Sequence, residues 1–146
     1  MVTPIELWRR GEPGDHRAWI VLAVRMLAAV VWFVFGTVFK VMAVVPRHRE
    51  IVAHVLGPEI APLVTVLIGL AETALGLWFL IGFFPRTCAM LQTVAIASMN
   101  TLELTYARSL LLVPVPMIVL NAVFLTLVWY GALYSSASSD VSPHGI

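Results

Sequence analysis

The stretch that decides the fold is APLVTVLIGLAETALGLWFLIGFF, residues 61–84, in which Glu72 is the only charged residue. A helix needs about 20 predominantly apolar residues to cross the hydrocarbon core of a bilayer, and this run is long enough. Pro62 suits the first turn of a helix, and Pro85 follows the run. We therefore expect one membrane-spanning helix over 61–84.

Three other apolar runs extend the same pattern along the chain. They cover residues 18–45, 86–107 and 110–134, between a polar N-terminal tail (1–17) and a polar C-terminal tail (135–146). The connections after 84 and after 107 are so short that neighbouring spans must be antiparallel. The sequence predicts an all-α integral membrane protein, a four-helix antiparallel bundle in up-down-up-down order. Both termini are expected on one side of the cell membrane.

The longer connection, residues 46–60, is predicted to form a short helix at the membrane interface. Ile51, Val52, Val55 and Leu56 recur there at helical spacing beside charged residues and histidines. Lysine and arginine are equally frequent on the two sides of the predicted bundle, so the positive-inside rule does not decide its orientation.

Composition excludes several classes of protein. With 60% hydrophobic and 12% charged residues, the chain is too apolar for a soluble domain, and lipid is its expected partner. A net charge of +1 without a basic patch argues against nucleic acid binding. The single cysteine, Cys88, excludes a dithiol redox pair. All four histidines lie outside the spans, which argues against haem: His16, His48, His54 and His144. The sequence also contains no cluster of metal-ligand residues.

Polar residues inside the spans are the candidate functional residues, because charges in a bilayer are costly. Counted at 1.5 Å per residue from the terminal side, Arg25 lies roughly 10 Å deep, and Glu72 and Asn121 each roughly 16 Å. We expect these three to converge. The cluster could bind a ligand, or it could be a buried ion pair that only fixes helix packing.

A second polar level is predicted towards the opposite side, from Lys40, Asn100 and Glu103. Lys40 is expected either to pair with Glu103 or to extend its ammonium group to the interface. A further set, Gly69, Thr73 and Gly76, has the small-residue spacing that lets membrane helices approach closely.

The chain resembles the DoxX-like membrane proteins over roughly its first three spans. The resemblance rests on Arg25, Gly36, Lys40, the Gly69-Leu-Ala-Glu72 motif with Gly76, and Gly82-Phe-Phe-Pro-Arg86. It implies a four-helix membrane fold. Some relatives are associated with quinone-linked oxidation, such as the small subunit of a thiosulfate:quinone oxidoreductase, and many others have no assigned activity.

No flavin, nicotinamide or metal motif accompanies these residues, so no intrinsic cofactor is expected, and whether the chain is an enzyme stays open. The leading hypothesis is an accessory, quinone- or amphiphile-binding component of a membrane redox system, with other protein subunits or a second copy as partners. The alternatives are a purely structural assembly subunit, a lipid- or sterol-modifying enzyme, and a proton-coupled transporter.

Overall fold

The computed structural model describes residues 16–106, 108 and 114–137. All of the secondary-structure elements in this part of the chain are helices. Helix α1 covers His16–Phe33 and continues as a π-helical segment, Val34–Val41. The helices that follow are α2 (Arg47–Leu56), α3 (Ala61–Ile81), α4 (Pro85–Tyr106) and α5 (Pro114–Ala137). The all-helical architecture is confirmed for this part of the chain.

The first and second predicted spans are shorter as helices than as apolar runs. The first helix stops at Val41, short of residue 45, and Ala43 has a φ of 53°, in the left-handed region that ends a right-handed helix. Helix α3 stops at Ile81, short of residue 84, because Gly82 adopts a φ of 79°. The N–H of Gly82 donates to the Trp78 carbonyl at 3.2 Å, which closes the helix end.

The third and fourth predicted spans, 86–107 and 110–134, correspond to α4 and α5. Of the predicted tails, residues 16–17 and 135–137 are helical. Residues 1–15 and 138–146, which hold the rest of both tails, lie outside the described part.

Among the described residues, three helices are long and apolar enough to cross a membrane: His16–Val41, Ala61–Ile81 and Val115–Ser135. On α3, four leucines are each more than half exposed, as expected for side chains that face lipid: Leu63, Leu67, Leu70 and Leu77. Helix α4 has 22 residues but is less apolar than the other three. The chain is therefore an integral membrane protein with at least three helices suited to spanning.

The four long helices share one core. Its buried members are mostly small, so the helices approach closely: Val24 and Ala28 of α1, Phe79 of α3, Cys88 and Ala89 of α4, and Val128 and Ala132 of α5. Two of the closest neighbours are α1 with α3 and α4 with α5. Several polar side chains also lie between these helices, and they form the candidate site.

Candidate functional site

A buried ion pair joins the π-helical segment to the middle of α3. Nζ of Lys40 lies 2.6 Å from Oε1 and 2.7 Å from Oε2 of Glu72. The two residues are only 5% and 3% exposed. Because both carboxylate oxygens accept a hydrogen bond from one ammonium group, each charge compensates the other away from water. The sequence predicts these two residues at different polar levels, whereas in the structure they form one pair.

Small residues bring the two helices close enough for this pair to form. A Cβ atom added to Gly69 would lie 2.9 Å from Cβ of Lys40, and one added to Gly76 would lie 2.7 Å from a side-chain carbon of α1. The hydroxyl of Thr73 lies 2.8 Å from that of Thr37 and donates to the Gly69 carbonyl at 2.9 Å. The predicted packing residues Gly69, Thr73 and Gly76 thus lie at or beside the contact between α1 and α3.

The π-helical geometry around Lys40 carries no signal that we recognised in the sequence. A π-helix hydrogen-bonds each N–H to the carbonyl five residues earlier, as Met42 does to Thr37 at 2.9 Å. Each hydrogen-bonded turn therefore holds one more residue than in an α-helix, and the side chains that follow rotate around the helix axis. A count of depth that assumes α-helical geometry throughout the first helix therefore gives a wrong position for Lys40.

A pocket of about 100 Å³ lies beside the ion pair, at the end of the π-helical segment. Its walls are mainly apolar, and its polar members are Lys40, Arg49 and Thr65; the remaining lining residues are Phe39, Val41, Ala43, Val45, Pro62 and Val66. Thr65 is 4% exposed, and its hydroxyl has no hydrogen-bond partner among the described residues. A buried polar group without a partner is unusual and is commonly explained by water, an ion or a ligand.

Arg25 lies elsewhere, and this corrects the predicted convergence with Glu72. Its Nη2 donates to Oγ of Ser135 at 2.8 Å, and its guanidinium packs on Gly82. Gly82 follows Glu72 by ten residues, or about 15 Å along α3. The depth count failed because it measured each helix from the end of its apolar run, whereas the glycine contacts set the register and place Arg25 level with Gly82.

Asn121 is also separate from Glu72. Its side-chain amide donates to Oδ1 of Asn100 at 2.9 Å, which joins α5 to α4 and links residues assigned to different levels. Glu103 is half-buried, and the charges of Lys40, Arg47 and Glu72 act on it, although no direct ion pair with Lys40 forms. A role of these residues in ligand binding stays a prediction.

Two uncharged polar residues were missed by the sequence analysis. Thr65 is one. The other, Gln92, is fully buried: it accepts from Nε1 of Trp32 at 2.7 Å and donates to Sγ of Cys88 at 3.4 Å. A glutamine in the middle of an apolar helix is the signal that could have revealed it. Within the described residues, no group of three or more histidine, cysteine or acidic side chains could hold a metal ion.

Helices of this composition around a buried lysine–glutamate pair define a small integral membrane protein with polar residues buried between its helices. The comparison with protein families agrees, because the profile described as the DoxX-like family matches residues 29–129. The chain belongs to the DoxX-like family, as its motifs predicted. No curated protein and no solved structure matched the chain.

Proposed function

We propose that this protein binds the polar head of an amphipathic small molecule, a quinone or a compound of similar shape, in the pocket beside Lys40. The observation that carries the proposal is the hydroxyl of Thr65, a residue that lines this pocket; the hydroxyl is buried without a partner among the described residues. A ligand carbonyl oxygen would accept a hydrogen bond from this hydroxyl. Lys40 lines the same pocket, and its ammonium group would be a second donor.

The size and walls of the pocket support a head group rather than a whole ligand. About 100 Å³ is well below the roughly 300–1,000 Å³ of clefts that enclose drug-sized molecules. Phe39, Val41 and Val66 provide apolar contacts, and Arg49 is an exposed cation at the same pocket. A quinone combines carbonyl acceptors with an apolar tail, which would remain in lipid.

The quinone assignment extends the resemblance to relatives associated with quinone-linked oxidation. A bound quinone would supply electron and proton transfer, for which this chain shows no motif of its own. We therefore place the protein as an accessory component of a membrane redox system, together with partner subunits or a second copy. The residues of this chain would bind the head, orient it and keep water from it.

The same proposal includes the finer architecture. Helix α4 is taken as a fourth span, because Gln92 is buried while Met90, Leu91 and Val94 are exposed on its outer surface. Four spans make an up-down-up-down antiparallel bundle with both termini on one side of the cell membrane. Helix α2, which carries Arg47, His48 and Arg49 beside apolar residues, is the interfacial helix.

The test is the substitution Thr65→Val, which keeps the shape of the side chain and removes the hydroxyl. Binding of a short-tailed benzoquinone to the purified protein should weaken about 2- to 12-fold, the effect of one hydrogen bond of about 0.5–1.5 kcal/mol. The protein itself should become slightly more stable, because a buried hydroxyl without a partner has been removed. Thr126→Val is the matched control, since Thr126 is exposed and its hydroxyl donates to Ala122 of its own helix. Unchanged affinity in folded Thr65→Val would contradict the proposal.

A structural role is the second candidate, and the ion pair itself favours it. Lys40 and Glu72 satisfy each other, and the contact between α1 and α3 is tight without any ligand. In this case the protein holds other subunits together and wild type binds no quinone. Native mass spectrometry after gentle extraction distinguishes the two, because a structural subunit would retain protein partners and no small molecule.

A further inference from the structure

Arg25 is a buried charged residue whose guanidinium group forms only part of its possible hydrogen bonds. The residue is 1% exposed, and its Nη2 forms a hydrogen bond to Ser135, whereas its Nε and Nη1 have no partner among the described residues. A guanidinium is always charged in proteins, and burying a charge is costly unless it is paired. Within the described part of the chain, no carboxylate pairs with Arg25. The group therefore lacks an anion there.

The surroundings place Arg25 towards the end of the helices where a membrane interface is expected. It is level with Gly82, where α3 ends, and its hydrogen-bond partner Ser135 lies near the end of α5. Large aromatic side chains are exposed at this same end, as is typical of residues near lipid headgroups: Trp19, Phe83, Phe84 and Tyr134. Lipid phosphate groups lie near such aromatic residues in a bilayer.

The charge at this end is of one sign among the described residues. Arg17 in the first turns of α1 and Arg86 at the start of α4 accompany Arg25. The described acidic residues lie elsewhere: Glu50 in α2, Glu59 in the connection that follows it, Glu72 in the middle of α3 and Glu103 near the end of α4. An anionic ligand would complement this end of the protein.

We propose that Arg25 forms a phosphate-binding site at the end of the protein where α3 and α5 terminate. A guanidinium binds phosphate oxygens through charge-assisted hydrogen bonds from several N–H groups, which a lysine ammonium does not reproduce. The phosphate belongs either to a phospholipid headgroup or to free inorganic phosphate. This site is independent of the quinone pocket, because Arg25 precedes Lys40 by 15 residues, roughly 20 Å along the helix.

The first test uses wild-type protein in detergent and native mass spectrometry. Phosphatidylglycerol and diacylglycerol with the same acyl chains are added at equal concentration. One equivalent of phosphatidylglycerol should bind at least tenfold more tightly than diacylglycerol. Inorganic phosphate is then titrated in: displacement of the lipid identifies free phosphate as the source, and retention identifies the headgroup. Equal binding of both lipids without binding of inorganic phosphate overturns the proposal.

The second test compares Arg25→Lys with Arg86→Lys, a matched change at an exposed arginine of the same end. Arg25→Lys should lose at least fivefold in affinity for the phosphate-bearing ligand, and Arg86→Lys should stay within twofold of wild type. Equal losses in both variants would show general attraction between surface charges and would overturn the proposal. If Arg25→Lys does not fold, as judged by circular dichroism and size-exclusion chromatography, the wild-type comparison decides alone.

Discussion

Lys40 and Glu72 illustrate at the scale of single residues how a membrane protein keeps charges in its interior. Neither is tolerated alone, since a charge inside a bilayer costs about 2.5–3.5 kcal/mol on insertion scales. At 2.6 Å and 2.7 Å the lysine reaches both oxygens of its partner, and the two are more than nine-tenths buried. The pair stabilises the fold only as long as both members remain.

We expect Glu72→Gln to destabilise the protein by about 3–5 kcal/mol, because it leaves the Lys40 ammonium buried without a counter-charge. The double substitution Lys40→Met with Glu72→Leu should recover most of that loss. Denaturant unfolding in detergent micelles measures both, with Glu59→Gln as the exposed control. If Glu72→Gln unfolds at the wild-type midpoint, the pair contributes little to stability.

His48 should make stability depend on pH. Its ring lies 5.9 Å from that of Phe39 and 6.4 Å from that of Phe35, centroid to centroid. Burial, followed by the charge of Lys40, lowers the pKa of His48 from 6.5 to about 4, against a backbone hydrogen bond at Val45 that raises it. Between pH 6.5 and 4 the unfolded chain therefore binds more protons than the folded one. Stability is complete above pH 6.5 and falls as the pH drops towards 4.

The measurement is the unfolding midpoint at a series of pH values for wild type and for His48→Phe, which keeps an aromatic ring at this position. In His48→Phe, the unfolding midpoint should decrease much less between pH 6.5 and 4 than it does in wild type. His54→Gln, at an exposed position of the same helix, should retain it. If the pH dependence of the unfolding midpoint disappears in His54→Gln and persists in His48→Phe, it does not arise from His48.

At the scale of elements, the contact between α1 and α3 depends on the absence of side chains. A Cβ atom on Gly69 would lie 2.5 Å from the Gly36 carbonyl oxygen and 2.9 Å from Cβ of Lys40. We expect Gly69→Ala to cost about 1–3 kcal/mol, because the backbone of the neighbouring helix must move. Ala71→Leu, on the exposed surface of the same helix, should leave the unfolding midpoint unchanged. Equal effects of the two changes would show that the close approach is not limiting.

The helices could be predicted from the sequence, but their register could not. Apolar runs and prolines indicated α3 closely, and the spacing of Gly69, Thr73 and Gly76 indicated a contact face. Which residues face each other depends on where each helix crosses the interface, and a run of apolar letters does not fix that point. The π-helical segment also rotates the side chains that follow it around the helix axis, and no residue pattern in the sequence predicted this segment. Because the register was not fixed, Arg25 was predicted to meet Glu72, and Lys40 was predicted to pair with Glu103 or to reach the interface.

At the scale of the whole molecule, the number of membrane crossings depends on α4. Three helices meet the length and hydropathy of a membrane span, and α4 is less apolar. Its buried Gln92 bonds to α1 through Trp32, and its Thr93 accepts from Trp129 of α5 at 3.0 Å. These polar groups face other helices rather than lipid, so they lower the hydropathy of α4 without opposing insertion.

The number of crossings decides which sides the termini face, because four crossings return the chain to its starting side and three do not. Single substitutions Thr3→Cys, Glu59→Cys and Ser142→Cys, each labelled with a membrane-impermeant maleimide in sealed vesicles, test this directly. Cys88 is 0% exposed and should stay unlabelled in folded protein, which leaves a clean background. With four crossings, Thr3→Cys and Ser142→Cys react from one side and Glu59→Cys from the other. If Thr3→Cys and Ser142→Cys react from opposite sides, α4 does not span the membrane and the proposed up-down-up-down bundle is wrong.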